Sequence, residues 1–214
     1  PISTYDMPWR LIANTSMNTL ITFDMVLANV RPVVKETGLK RVIVTKVTDY
    51  INGLGVSTAK SLELEEGWLH FSELIENCKD TRPPRVPIVP SDPAIIQFTG
   101  GTTGFPKGAL LTHGNLVAAT FQCGMWASPG SYSPIAMPQS ERSALCALPF
   151  FHVYGNIAAM NWAFFGCAKQ ILMPRFEIDE ILDAIVKAGH ITYFPAVPTM
   201  ITAIVNHPKA ASID

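Results

Sequence analysis

Three features of this 214-residue sequence predict an α/β fold, a mainly parallel sheet with helices on both faces. Short apolar runs that suit strands alternate with longer stretches of helical periodicity. Glycine and proline fall at the junctions between them. Hydrophobic residues make up 48% of the chain, enough for one large core or two small ones. Parallel strands are covered on both sides, so their runs should be apolar throughout.

The N-terminal elements form the simplest unit of such a fold. Thr19 to Thr22 reads as a short strand, Phe23 to Thr37 as a helix, and Arg41 to Lys46 as a buried strand. Met25, Val26, Val30, Val33 and Val34 supply the helical apolar face, and Gly38 is its stop. Pro32 inside that run either kinks the helix or starts a second one. Strand, helix, strand makes a βαβ unit, which is normally right-handed. Asp49 to Lys60 reads as loop and Phe71 to Cys78 as a short helix; Glu63, Glu65 and Glu66 read as a solvated acidic face. Pro83, Pro84, Pro87, Pro90 and Pro93 then force an extended, irregular connector on the surface.

The second half repeats the alternation. Ile95, Ile96 and Phe98 suit a buried strand, Ala109 to Leu111 the next, and Gly114 to Met125 a helix with Asn115 as N-cap. Val117, Phe121 and Met125 share one face of that helix, and His113 marks its corner. Ala127 to Arg142 is loop, Ser143 to Leu148 a strand, Asn156 to Phe165 a buried helix, and Lys169 to Met173 a strand. Ile178 to Ala188 is an amphipathic helix ended by Gly189. Ile191 to Phe194 is a strand, and Pro198 to Asn206 a last helix. Trp126 and Trp162 are assigned to the core. His70, His190 and His207 are assigned to the surface or element boundaries.

Composition excludes several classes. A net charge of -1 gives no reason to expect nucleic acid. Cys78, Cys123, Cys146 and Cys167 are widely spaced without a CxxC pair, so buried reduced thiols are expected, not zinc ligands or disulfides. The start lacks a signal-peptide pattern, and Asn156 to Ala168 is too short to span a bilayer, so a cytoplasmic protein is expected. A start at Pro1, without methionine, suggests that residues precede it.

The chemistry concentrates between Ile95 and His113, IIQFTGGTTGFPKGALLTH. Glycine adopts backbone angles closed to other residues and leaves no side chain in a ligand's way. Gly100, Gly101, Gly104 and Gly108 fall within nine residues, a density that a plain hairpin turn does not need. Such a loop can aim its N–H groups at one point and hold an anion. Thr99, Thr102 and Thr103 add hydroxyls, and Lys107 adds a cation on a flexible stem. The set suits a polyphosphate. A Walker A loop is excluded, because Lys107 lies between Pro106 and Gly108 and precedes a strand, not a helix.

The run Phe98 to Gly108 resembles the phosphate-binding signature of adenylate-forming enzymes: acyl- and aryl-CoA ligases, luciferases and the adenylation domains of peptide synthetases. Gln97 to Gly104, followed by Leu111-Thr112-His113 and Asn115-Leu116-Val117, looks most like long-chain fatty-acid–CoA ligases. The resemblance implies two half-reactions, carboxylate plus ATP to acyl-adenylate, then thioester formation with coenzyme A. It implies ATP and Mg²⁺ as cofactors, phosphate contacts from Thr99, Gly100, Gly101, Thr102, Thr103, Gly104 and Lys107, and a metal contact at Thr103. Leu148 to Gly155 resembles a second family motif, which places His152 beside the acyl carboxylate; its neighbours Val153, Tyr154 and Gly155 line the acyl pocket. Phe194 to Met200 resembles the segment that walls this pocket, giving Ala196 and Pro198; a plain strand-to-helix turn fixed by two prolines explains it equally well.

Family motifs expected further on, including an aromatic-Gly-x-Thr-Glu segment and a late lysine, do not occur before Asp214. The chain is therefore expected to be an incomplete N-terminal domain. Residues 1–92 would be the lead-in and connector, and residues 93–214 the ATP- and acyl-binding part. Such a piece should lack turnover, and open sheet edges where the rest would pack invite a partner chain or aggregation; a homodimer and peripheral membrane contact are the further partner expectations. Aryl-CoA ligase, amino-acid adenylation domain and non-catalytic nucleotide-binding piece are the alternatives.

Overall fold

The computed structural model describes residue 12 and residues 15–46, 62–99, 107–126 and 137–213. The chain falls into two compact units, one built from Pro1–Val86 with Gly100–Lys107, the other from Pro87–Thr99 with Gly108–Asp214.

In the first unit, β1 (Thr19–Phe23) leads through a 3₁₀ turn, Asp24–Val26, into α1 (Leu27–Glu36) and back to β2 (Arg41–Thr45). β1 and β2 pair in parallel, Thr19 opposite Arg41 through Phe23 opposite Thr45, which is the expected βαβ unit. Leu27, Val42 and Val44 are buried together, with Leu62, Leu64 and Trp68 packed around them. Pro32 lies inside α1 without ending it. A two-residue strand absent from the sequence reading, β3 (Leu69–His70), adds to β2 in parallel and runs straight into α2 (Phe71–Glu76). Glu65 does not belong to a purely solvated face: it pairs with the Arg31 guanidinium of α1. Asp49 to Lys60 lies outside the described residues.

The connector after α2 has neither helix nor strand, and residues 79–90 are exposed, as five prolines require. β4 (Pro93–Thr99) and β5 (Lys107–Thr112), which belong to the second unit but for Lys107, are hydrogen-bonded neighbours in a two-stranded sheet. The expectation that these strands are buried fails: Ile96 is 45% and Leu110 58% exposed. Two strands alone have little to pack against. α3 (His113–Trp126) follows directly. Its N-cap is Thr112, not Asn115. The Thr112 hydroxyl accepts from the Asn115 N–H, and the Asn115 side-chain oxygen accepts from the Thr112 N–H, a reciprocal capping box.

β6 (Ser143–Cys146) and β7 (Lys169–Leu172) pair in parallel, Ser143 opposite Lys169, and carry the main core. Successive side chains of a strand point to opposite faces. Ala144 and Cys146 pack with Ala159, Trp162 and Ala163, on the side of the π turn Gly155–Asn161 and α4 (Trp162–Phe165). Leu145 and Ala147 pack with Ile181, Ala184 and Ile185 of α5 (Ile178–Ala188) and with Ile204 of α6 (Pro198–Val205). Helices thus cover both faces, the predicted α/β arrangement. Gly189 ends α5 with a φ of 68°, the left-handed conformation that glycine adopts freely.

Four further expectations need correction. Ile191 to Phe194 makes only a single parallel bridge, Tyr193 to Ala144, because Thr192 spends its hydroxyl and N–H on Ser143. The helix after the His152 segment begins as a π turn, and Phe164 and Phe165 at its end are exposed. Of the four cysteines, all free thiols, only Cys146 is buried; Cys78 and Cys167 are exposed. Trp162 is fully buried, but Trp126 is 86% exposed at the end of α3. The expected face Val117, Phe121 and Met125 is likewise open, and Met125 and Trp126 border a shallow groove of about 830 Å³.

Candidate functional site

β4 delivers the chain to the glycine-rich loop and β5 receives it. Thr99 is the last residue of β4, and Lys107 is the exposed first residue of β5. Gly100, Gly101, Thr102, Thr103 and Gly104 lie outside the described residues. The two strands that flank it are tied together at their far ends. The Asp92 carbonyl, just before β4, accepts from the His113 N–H, and the Pro90 carbonyl accepts from the Gly114 N–H at 2.8 Å. The start of α3 is therefore tied to the start of β4.

The His152 segment follows the C-terminal end of β6, the end at which ligands bind in open α/β sheets. A tight turn runs from Pro149 to His152, with the His152 N–H donating to the Pro149 carbonyl at 3.1 Å. Gly155 makes the turn possible. A Cβ at this position would lie 2.2 Å from the Pro149 oxygen, so no other residue fits without moving backbone. Gly155 is buried, while His152, Val153 and Tyr154 are exposed. The Tyr154 N–H donates to His152 Nδ1 at 3.1 Å.

Two hydrogen bonds join the predicted segments. Gln97 of β4 donates through Nε2 to the Phe151 carbonyl at 3.2 Å, linking the strand before the glycine loop to the His152 turn. The Tyr154 hydroxyl donates to the Ala196 carbonyl at 3.4 Å, linking the same turn to the Phe194-to-Met200 segment. Tyr154 and Ala196, both expected in one pocket, are thus neighbours. Ala196 is half-buried, and Pro198 is exposed as the first residue of α6. That segment is held from behind by Ser143, whose N–H donates to the Thr192 hydroxyl at 2.9 Å and whose own hydroxyl donates to the His190 carbonyl at 2.8 Å.

Behind the turn, Trp162 stacks on Tyr193 with ring centroids 3.9 Å apart. Burial pushes the Tyr193 phenol up to about 12 and the Cys146 thiol up to about 11, so both stay neutral at physiological pH. Neither is poised as a nucleophile or base. Sequence reading missed Gln97, Asn156 and Asn161 as parts of this site. Gln97 stands at the head of the signature run and is a polar residue between Ile96 and Phe98 in an apolar strand, but neither feature names Phe151 as its partner.

No group of three or more His, Cys, Asp or Glu residues able to hold a metal occurs among the described residues. No helix among them is long and apolar enough to cross a membrane.

Comparison with known proteins places these features in context. The family model described as "AMP-binding enzyme" matches residues 11–213. A long-chain-fatty-acid–CoA ligase of Bacillus subtilis (strain 168) is 39% identical over 123 residues, 58% of this chain and 20% of that protein. A 4-coumarate–CoA ligase 1 of Solanum tuberosum is 34% identical over 171 residues, 79% of this chain and 30% of that protein. The chain thus spans between a fifth and a third of these relatives' length. Among solved structures, a long-chain-fatty-acid–CoA ligase (FadD1) from Archaeoglobus fulgidus superposes with a TM-score of 0.66 at 26% identity, covering 96% of this chain and 35% of that one. An anthranilate CoA ligase, AuaEII, superposes with a TM-score of 0.75 over the whole of this chain and 37% of its own, at 17% identity, a likeness of fold alone. A signature loop, the strands that carry it and a family match over nearly the whole chain agree: this chain belongs to the AMP-binding enzyme family.

Proposed function

We propose that this chain is the phosphate- and acyl-binding part of an acid–CoA ligase. The observation that carries the reading is the pair of hydrogen bonds Gln97–Phe151 and Tyr154–Ala196. They draw the strand before the glycine loop, the His152 turn and the Phe194-to-Met200 segment into one neighbourhood. In the first half-reaction a carboxylate attacks the α-phosphate of ATP, forming the acyl–phosphate bond as pyrophosphate leaves. In the second, the coenzyme A thiol attacks the acyl carbon and AMP leaves.

Two anions must approach each other in the first step, so preorganised donors lower its barrier most. Thr99, Gly100, Gly101, Thr102, Thr103 and Gly104 grip the β- and γ-phosphates through backbone N–H groups and hydroxyls, and Lys107 follows the charge as pyrophosphate departs. Mg²⁺ binds through oxygen donors, usually substrate phosphates with one or two protein groups, and the Thr103 hydroxyl is a donor of that type. When bound, the ion neutralises phosphate charge. His152 faces the acyl carboxylate, and Val153, Tyr154, Gly155, Ala196 and Pro198 line the acyl pocket.

A fatty acid is the leading substrate, supported by the B. subtilis relative and by the form of the signature. A hydroxycinnamate-type acid is the second reading, favoured by 4-coumarate–CoA ligases that match a longer stretch of this chain. A cytoplasmic location accompanies either. The test uses the complete protein: carboxylate-dependent exchange of pyrophosphate into ATP, with long-chain fatty acids against 4-coumarate. Thr102→Val together with Lys107→Ala removes two donors and should reduce exchange by at least about a hundredfold, the scale on which losing even one preorganised charge-stabilising donor acts. Unchanged exchange in that variant would refute the phosphate assignment.

A further inference from the structure

We infer that Asn156 and Asn161 are positioning residues that hold the His152 turn so that the imidazole offers a proton on Nε2. The inference rests on the reading of His152 as the group beside the acyl carboxylate.

Asn161 donates through Nδ2 to Asn156 Oδ1 at 3.0 Å. An amide that accepts at its oxygen has its NH₂ group free for another partner. Asn156 uses it, donating through Nδ2 to the Phe150 carbonyl at 3.4 Å. The two asparagines are five positions apart. On an α-helix, side-chain neighbours are three or four apart, and residues five apart do not meet. The π turn Gly155–Asn161, whose hydrogen bonds span five residues, brings them together. Such turns cost helix stability and cluster at functional sites.

The result is a turn with every carbonyl occupied. Pro149 accepts from the His152 N–H, Phe150 from the Asn156 side chain, Phe151 from Gln97 and His152 from the Asn156 N–H at 2.9 Å. The His152 ring is exposed, yet the backbone beneath it is clamped from β4 and from the π turn. Held this way, the Tyr154 N–H reaches His152 Nδ1 at 3.1 Å. Since that N–H donates, Nδ1 accepts, and the neutral ring carries its proton on Nε2. His152 then serves the reacting carboxylate as a hydrogen-bond donor, not as a base.

The test is nuclear magnetic resonance on the 214-residue chain, reading the ring nitrogens of His152 and hydrogen exchange at the Tyr154 amide. The wild-type ring should be the Nε2-protonated tautomer, with a protected Tyr154 amide. Asn161→Asp keeps the shape and loses the donor, so the Asn156 amide must turn toward the new carboxylate and release Phe150. Tyr154 exchange should then quicken about tenfold, equivalent to about 1.4 kcal/mol. Asn161→Gln keeps a donor and should recover part of the protection. Should Asn161→Asp fail to fold, Asn156→Asp serves instead: it still accepts from Asn161 but cannot donate to Phe150. In the complete enzyme, Asn161→Asp should lower kcat for adenylate formation about tenfold with the KM for ATP unchanged. A wild-type ring protonated on Nδ1, or Tyr154 exchange equal in wild type and both Asp variants, overturns the inference. A complete enzyme that forms no adenylate overturns the ligase reading and leaves the resonance result standing, so the two failures are distinct.

Discussion

Gly155→Ala is the substitution with the largest effect that the structure lets us work out. The added methyl would sit 2.2 Å from the Pro149 oxygen, 2.8 Å from its carbonyl carbon and 3.1 Å from the Leu148 oxygen. Ordinary contact begins near 3.4 Å, so the Pro149 carbonyl must retreat by about 1 Å. These are backbone atoms, and no rotamer change relieves them. Overpacking of this kind costs about 1–3 kcal/mol, and the upper end applies where backbone must move. For a chain of this size that corresponds to a fall in Tm of roughly 6–12 °C. Pro149 also accepts the His152 N–H, so the turn bearing His152 should loosen as well. The assay is thermal unfolding followed by tryptophan fluorescence, to which Trp162, buried in the same unit, contributes. Gly166→Ala is the control: its Cβ would meet the Trp162 oxygen at 3.3 Å and the Ala163 oxygen at 4.0 Å, a much milder approach. Equal shifts in the two variants would refute the packing argument.

Three other expectations follow from particular contacts. Stability should fall as pH rises from about 9 to about 12, because Cys146 and Tyr193 ionise more readily unfolded than folded. Burial raises the thiol from 9.0 to about 11 and the phenol from 10.0 to about 12, so their contribution is complete below the unfolded values and lost as pH climbs through the folded ones. Unfolding midpoints across that range should show the decline, and Tyr193→Phe should remove its upper part. Thr112→Ala should cost about 1 kcal/mol by removing the cap of α3. Asn115→Ala should add little to it, since the two side chains form one reciprocal pair, and full additivity in a double-mutant cycle would contradict the capping box.

Local chemistry determined much of this protein from sequence. The β1–α1–β2 unit is read from periodicity and a glycine stop, and α5 matches its predicted bounds, Ile178–Ala188, because its apolar spacing and Gly189 act within a few residues of each other. The glycine-rich signature pointed to the family on residues adjacent in the chain. Tertiary structure decided what depends on distant partners. Ile191 to Phe194 has strand composition, but Ser143 takes the groups of Thr192 and leaves one bridge. Trp126 is as apolar as Trp162; one ends up exposed and the other buried because only Trp162 faces the β6 sheet. Gln97 meets Phe151 across 54 positions and Tyr154 meets Ala196 across 42. Periodicity reports which face a residue occupies; it says nothing of which strand register or turn will bring another residue opposite. That information exists only once the sheet has closed and the Pro149–Gly155 contact has set the turn.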